Sequence, residues 1–412
     1  MNELNQSHTA HELIIQSARL TNNTLVDLAL GGGVVQAIYP PKSTAVAKNV
    51  LFADGKVLLP GLVDAHVHLD KTYVPMTNHS GTLEEAVQVW FDGRPSLTKA
   101  NCIERASRAI ECAISHGTTA IRTHVNVVDP PDLAMAEAIL EVRERYKHVI
   151  TLQTVALGLV GDSPTRDAVS DTAMRMGIDI VGNAPIFTHN ATNALHASFK
   201  LAEKYGKALD LHIDENSNPE SRELDLLAEL TIARGMQGMV TAGHCCSLSF
   251  MPDTDAGRIM DKVARAGVHI ISLPSCNLVL QGRNCFPAPR GITRVKELVA
   301  RGVNVSAASD NVRDPYNPFG NYDALMAAYI SAHATHMTGT DEVATTLQMV
   351  TTHPRRAMGL AACDYGIGSP ADFVLLDTTD PQDAVLCPPY RLATIKAGKL
   401  VYKAHVARQW FL

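Results

Sequence analysis

The chain has 412 residues, 46% hydrophobic and 19% charged, enough for one large barrel or two or three small domains with a sizeable core. Its formal net charge is −6 with histidine neutral, and no basic run stands out, which argues against nucleic acid or an anionic membrane as a partner. No apolar stretch is long enough to span a bilayer, and the opening "MNELNQSHTAHELII" lacks a basic segment followed by an apolar one, so a cytoplasmic protein is expected.

Residues 12 to 59 hold short strand-like runs, "LIIQSARL", "LVDLALGGGVVQAIYP" and "KNVLFADGKVLLP", with "ADGK" reading as a hairpin turn. From about residue 60 one phrase keeps returning. A helix-like segment ends near Gly, and a short β-branched or apolar run follows, as in "AISHGTTAIRTHVNV" and "LAEKYGKALDLHIDE". Gly suits the position just past a helix, where the backbone turns left-handed. The strand candidates in order are "GLVDAHVHL", "TTAIRTHVNV", "VITLQTVAL", "IDIVGNAPI", "ALDLHID", "MVTAGH", "VHIISLPS" and "NVSAASD". Eight strand–helix units predict an α/β fold, a closed parallel (β/α)8 TIM barrel over residues 60–363. An open doubly wound sheet is the alternative. That fold usually carries a Gly-rich phosphate loop after its first strand, whereas this first strand ends in "HVH". Residues 364 to 412 return to short runs, "DYGIGSPADFVLLD" and "RLATIKAGKLVYKAHV", with "KAGK" as a second hairpin turn. The two ends, 1–59 and 364–412, are predicted to pair into one small β-sandwich beside the barrel. The eight cysteines, Cys102, Cys112, Cys245, Cys246, Cys276, Cys285, Cys363 and Cys387, are scattered without a CxxC pair, so small buried residues are expected.

Strand side chains alternate faces, so His66 and His68 share one face. In a barrel that face points inward, at the end where active sites lie, and two imidazoles at this spacing can grip one metal ion. A catalytic metal needs further ligands and an open position for water. Other apolar runs close on suitable groups: His212 and Glu215 after the fifth strand, His244 at the sixth and Asp310 at the eighth. A lone histidine at a strand end is more often a packed residue than a ligand, but this many at the correct strand ends point to a metal site. His124, closing the second strand, fits either the pocket or a supporting role.

At these residues the chain resembles the amidohydrolase superfamily, in the branch of cytosine deaminase and isopropylammelide hydrolase. The resemblance covers nearly the whole chain, through "GLVDAHVHLDK", "DLHIDE", "VTAGH", "NLVLQGR" and "ASDNVRDPYNPFG". It implies that His66, His68, His212 and Asp310 bind one divalent metal, Fe2+ or Zn2+. Glu215 would shuttle a proton to the ring, and His244 would orient the attacking oxygen. The fourth strand, "IDIVGNAPI", has no Lys, so the bridging group of binuclear relatives is missing and a mononuclear site is implied. The implied reaction is hydrolytic deamination of a small aminated N-heterocycle with release of ammonia. The alternatives are loss of an N-alkylamine from a triazine, and opening of a cyclic amide. Partners would be that heterocycle and water, with a homo-oligomer left open.

Some positions depart from cytosine deaminase. Leu159 stands where that family reads the ring's amide edge with Gln, and an unpaired buried carbonyl there would cost about 1–3 kcal/mol. Asn311 replaces the family's second acid. Gln281 and Arg283 read equally as substrate contacts or loop scaffolding. Lys71 reads as a surface ion-pair partner or as a contact to a substrate carbonyl or carboxylate. Tyr73, Trp90 and Tyr316 are candidate pocket walls. A retired enzyme scaffold that only binds would have lost a ligand, Glu215 or His244, and all are present.

Overall fold

The parallel strands at the centre are Leu62–Val67, Thr118–Asn126, Thr151–Gly158, Ile180–Asn183, Leu209–Ile213, Val240–His244, His269–Ser272 and Val305–Ala307. A computed structural model describes residues 10–283 and 286–411. Strands pair with their neighbours in chain order. Nearly every residue in them is buried, because one face meets the barrel interior and the other the helices. That double burial is why they read as continuous apolar runs rather than as alternation. The ring closes between its first and eighth strands, where Val67 bridges to Asp310 and Asp310 N–H donates to the His66 carbonyl at 2.8 Å. The fold is therefore a (β/α)8 barrel, as expected.

Two of the outer helices, Ala191–Tyr205 and Asp253–Ala266, end on Gly206 and Gly267 in the left-handed region, at φ 61° and 59°. The sequence signal for those stops was therefore sound. Among the described residues no helix is long and apolar enough to cross a membrane.

The chain ends form two four-stranded sheets. One holds His11–Arg19, Leu25–Gly31, Val34–Tyr39 and Ala47–Phe52; the other joins Leu58–Pro60 to Phe373–Leu376, Arg391–Lys396 and Lys399–Lys403. Leu13, Ile15, Leu28 and Leu30 pack against Phe373, Leu375 and Ile395, so N- and C-terminal segments share one core. "KAGK" is a hairpin turn, with Ala397 and Gly398 both at positive φ. "ADGK" is not. Asp54 and Gly55 take positive φ, but the strands on either side belong to different sheets. The reason lies in "VLL": Leu58 enters the sandwich core while Val57 and Leu59 enter the barrel core. A strand wanted by two cores cannot fold back on its predecessor.

The described cysteines are all free. Cys102, Cys245, Cys246, Cys276 and Cys363 are buried as expected, whereas Cys112 is half-buried and Cys387 exposed. Cys285 lies outside the described residues.

Gly117 links the helix Lys99–Ser115 to the second barrel strand at φ 92°, and a Cβ there would sit 2.5 Å from Val374 Cγ2. Gly206 is also at positive φ, 61°, with open space around it. Gly206→Ala should therefore cost about 1 kcal/mol, the left-handed penalty alone. Gly117→Ala should cost about 2–4 kcal/mol, because overpacking is added. Urea unfolding of both variants checks the difference; equal losses would refute the packing argument.

Candidate active site

The acids that flank the histidines in "DAHVHLD" hold the first strand to its two neighbours. Asp64 Oδ1 accepts from Ser309 N–H at 3.0 Å, on the eighth-strand side. Asp70 Oδ2 accepts from Asn126 N–H at 3.1 Å, on the second-strand side. Between these clamps His66 and His68 face inward. His68 Nε2 lies 3.2 Å from Asp310 Oδ1 and 3.3 Å from His212 Nε2, and His66 Nε2 lies 3.6 Å from Asp310 Oδ1. All four residues are buried. Asp310 and His244 sit at φ 61° and 68°, where non-glycine backbone is uncommon and costs energy that the surrounding structure must supply.

Burial holds His66 and His212 well below the usual histidine range, and His68 below it. They are neutral at neutral pH, with lone pairs free to bind. Burial would raise Asp310, but the close imidazoles of His68 and His244 outweigh it, so it stays ionised. Both ring nitrogens of His66, and both carboxylate oxygens of Asp310, lack a hydrogen-bond partner. Buried polar atoms are rarely left so. Donor atoms 3.2–3.6 Å apart match the ligand spacing around a first-row ion with bonds of about 2.0–2.2 Å. The residues therefore fit a divalent metal, with His66, His68, His212 and Asp310 able to hold it.

Beside this cluster, His244 Nε2 faces Glu215 Oε2 at 3.5 Å. His244 Nδ1 accepts from Asn277 Nδ2 at 3.0 Å, which places the ring proton on Nε2, towards the cavity. Burial lowers His244 to about 4. Burial, then the charge of Asp310, pushes Glu215 well above the ordinary glutamate range, with Lys71 opposing. Glu215 is thus a carboxylic acid that can donate. A cavity of about 290 Å³ opens on His68, His212, His244 and Glu215. Its far wall is apolar, built from Val128, Leu157, Leu159 and Ala184.

A model of the amidohydrolase family matches residues 99–402. The chain belongs to that family. It is 32% identical over 389 residues to a pterin deaminase of Rhizobium rhizogenes, covering 91% of this chain and 87% of the relative. It is 28% identical to N-isopropylammelide isopropyl amidohydrolase of a Pseudomonas species, covering 96% and 98%. The crystal structure of 5-methylcytosine deaminase from Klebsiella pneumoniae, liganded with 5-fluorocytosine, superposes with a TM-score of 0.91 at 32% identity, covering 97% and 99%. Membership makes the protein a hydrolase, in agreement with the site.

In this amidohydrolase Lys71, Trp90, Leu159, Asn311 and Tyr316 all line the cavity. Lys71 is buried, not a surface ion-pair partner. Gln281 does not line it. Its amide reaches the Glu215 carbonyl at 3.3 Å from behind and so supports the loop that carries the acid. Arg283 is exposed and donates to the carbonyls of Val279 and Ser80, tying two loops together. Tyr73 packs on Tyr322 and under Arg108, away from the cavity. His124 lies beneath the metal cluster, its ring centroid 3.9 Å from that of His66. Below it Arg122 pairs with Asp210 at 2.7 Å and binds Gln153, a buried network that sequence reasoning missed. Those residues sit inside apolar strand runs, where no spacing marks them. Asn277 was also missed, although "NLVLQGR" begins on it.

Gly243 lies against the cluster. A Cβ there would meet the His66 ring at 3.0–3.1 Å, so the imidazole would have to move by a few tenths of an ångström. Gly243→Ala should fold but bind metal at least about tenfold more weakly, in the range of lost ligand support. Metal content after dialysis against a chelator series checks this; unchanged retention would mean the ring has slack.

Glu223 supports the turn before Glu215, accepting from Asp214 N–H at 2.9 Å. Burial and the Asp214 charge raise Glu223 to about 7. Folded protein then holds more protons than unfolded between pH values of about 4.5 and 7, so stability falls as pH rises through that window. Glu223→Gln should be more stable than wild type by about 1 kcal/mol near pH 8, after loss of a charge at a helix N-terminus, with no gain near pH 4. Thermal unfolding across pH checks the sign.

Proposed function

We propose that the protein is a mononuclear metal-dependent hydrolase that deaminates a small aminated N-heterocycle and releases ammonia. The observation that carries the reading is the pairing of Glu215 and His244, both facing the cavity next to the His66, His68, His212 and Asp310 cluster. Pterin, 5-methylcytosine and isopropylammelide, named for three relatives, are aminated rings of this kind.

When bound, a divalent ion supplies Lewis acidity that brings the pKa of water down to about 7. Iron and zinc both suit three imidazoles and a carboxylate. The rest is done by this chain. Asp310, ionised and with free lone pairs, accepts the proton of the attacking water. His244 donates from Nε2 to the incoming oxygen and so aims it at the amine-bearing ring carbon. Glu215, held protonated by burial, gives its proton to the adjacent ring nitrogen. The ring loses aromaticity at that carbon. Proton transfer to the amine lets it leave as ammonia, and the carbon becomes a carbonyl. The balance is one water in and one ammonia out.

The apolar wall at Leu159 favours a second reading, in which the same site expels an N-alkylamine. Its alkyl group would lie on Val128 and Leu157. Product analysis separates the two, since only the first yields ammonia. Catalysis would proceed in the cytoplasm.

Metal-replete protein should release ammonia from at least one of cytosine, isocytosine, 5-methylcytosine, ammelide, creatinine or a pterin. Glu215→Gln should keep its metal and lose about 10²–10⁴ in kcat. Because the wild-type acid must be protonated, its kcat should fall as pH rises above the raised Glu215 pKa. Ammonia assays and mass spectrometry check both; retained activity in the variant would remove Glu215 from the mechanism.

A further inference from the structure

Arg166 stands where local rules disfavour it. It lies in the first turn of the helix Pro164–Arg175, after the third barrel strand, and a cation there opposes the helix dipole. Its side chain is 27% exposed, and it lines the cavity. One side of the guanidinium is fixed. Nη1 donates to Asp162 Oδ2, on a side chain only 2% exposed. Asp162 is anchored in turn, since its Oδ1 accepts from His189 N–H at 2.7 Å and lies 2.7 Å from His189 Nδ1. The other edge of the fork, Nε and Nη2, has no acceptor among the described residues. Two parallel N–H groups on one edge match the two oxygens of a carboxylate.

A second group on the lining is also unused. Asn126, at the end of the second strand, is 6% exposed and lines the cavity, and its Oδ1 has no hydrogen-bond partner. Buried amides are rarely left so. Among the described residues Glu215 is the one acid on the lining, and it holds its proton. The cavity thus presents an open guanidinium edge and an idle amide with no anion on its lining to meet them. Neither group takes part in the proton transfers at Glu215 and His244, so an acceptor for Arg166 must arrive on the substrate.

We infer that Arg166 forms a carboxylate subsite in the cavity, so that the preferred substrate is a ring bearing a carboxylate substituent, held by its two oxygens on the Nε–Nη2 edge. The inference rests on the ring-hydrolase reading and extends it from the reacting carbon to a substituent elsewhere on the ring. Asp162 keeps the fork oriented before the substrate enters, so little order has to be created on binding. The amide of Asn126 adds a second polar contact, and the patch of Val128, Leu157, Leu159 and Ala184 gives the ring an apolar surface to lie on.

The test uses pairs of one shape that differ in charge: pterin-6-carboxylate, pterin-7-carboxylate and cytosine-5-carboxylate, each against its carboxamide. Calorimetry gives Kd on metal-loaded Glu215→Gln protein, where turnover is slow, alone and combined with Arg166→Met or Arg166→Lys. Ammonia release by wild type gives kcat/KM for the same rings, and metal content and circular dichroism are recorded throughout. With Arg166 in place, at least one carboxylate should bind about tenfold or more tighter than its carboxamide, the scale of a hydrogen bond to a charged group. Wild type should show that preference mainly in KM. Arg166→Met should bring the pair to within about threefold, whereas Arg166→Lys, which keeps the charge without the fork, should keep part of the preference. With Arg166 in place, a ratio near one for every pair, or no binding by any carboxylate, would overturn the inference without requiring a variant at that residue to fold. So would an undiminished ratio in metal-loaded Arg166→Met protein. Selective carboxylate binding without ammonia from any ring would uphold the subsite and overturn the deaminase reading instead.

Discussion

Closure of the barrel is the constraint on which the site depends. The first and eighth strands meet through the Val67–Asp310 bridge, the Asp310 N–H to His66 carbonyl bond and the Ser309 N–H to Asp64 carboxylate bond. The same few residues that seal the ring bring Asp310 to His66 and His68. Asp70 does the equivalent work on the other side of the strand by holding Asn126. Fold and metal cluster are thus one structure, and a slip of one residue in that pairing would turn the histidines out of the interior.

A second consequence is electrostatic. His66, His68, His124, His212 and His244 crowd into one buried volume, with ring centroids 3.9–5.6 Å apart. Burial keeps each imidazole neutral and makes each unpaired lone pair costly. A divalent cation converts those lone pairs into bonds. The arrangement is poor as a packed core and good as a metal site, and the Arg122–Asp210 pair beneath it supplies a fixed charge pair under the His124 ring. Glu215 uses the same burial in the opposite sense, as an acid that keeps its proton.

The cavity divides its labour by chemistry. Ionisable groups stand next to the metal cluster, Lys71 stands between two aromatic faces, and an aliphatic patch of Val128, Leu157, Leu159 and Ala184 shares the rest of the lining with Asn126, Arg166 and Phe187. This division sets what fits more than the metal cluster does. It is built from loops and from one helix added after the first strand, which is where barrel enzymes carry their specificity.

The sequence alone determined the barrel, the two-ended sandwich and the polar residues at the strand ends. Those signals are local. A strand repeats every two residues, a Gly stops a helix, and a histidine closing an apolar run stands out against it. Tertiary structure alone decided the rest. That "ADGK" crosses between sheets follows from two cores competing for "VLL", which no turn motif encodes. That Gln281 and Arg283 brace loops, while Lys71 enters the cavity, depends on segments far apart in the chain, 66 residues for the Gln281 contact and 203 for the Arg283 bond to Ser80. The Arg122–Asp210–Gln153 network hides inside strands whose composition is otherwise apolar, because each partner supplies only one residue. Periodicity reports which way a side chain points; only the closed ring decides what it meets there.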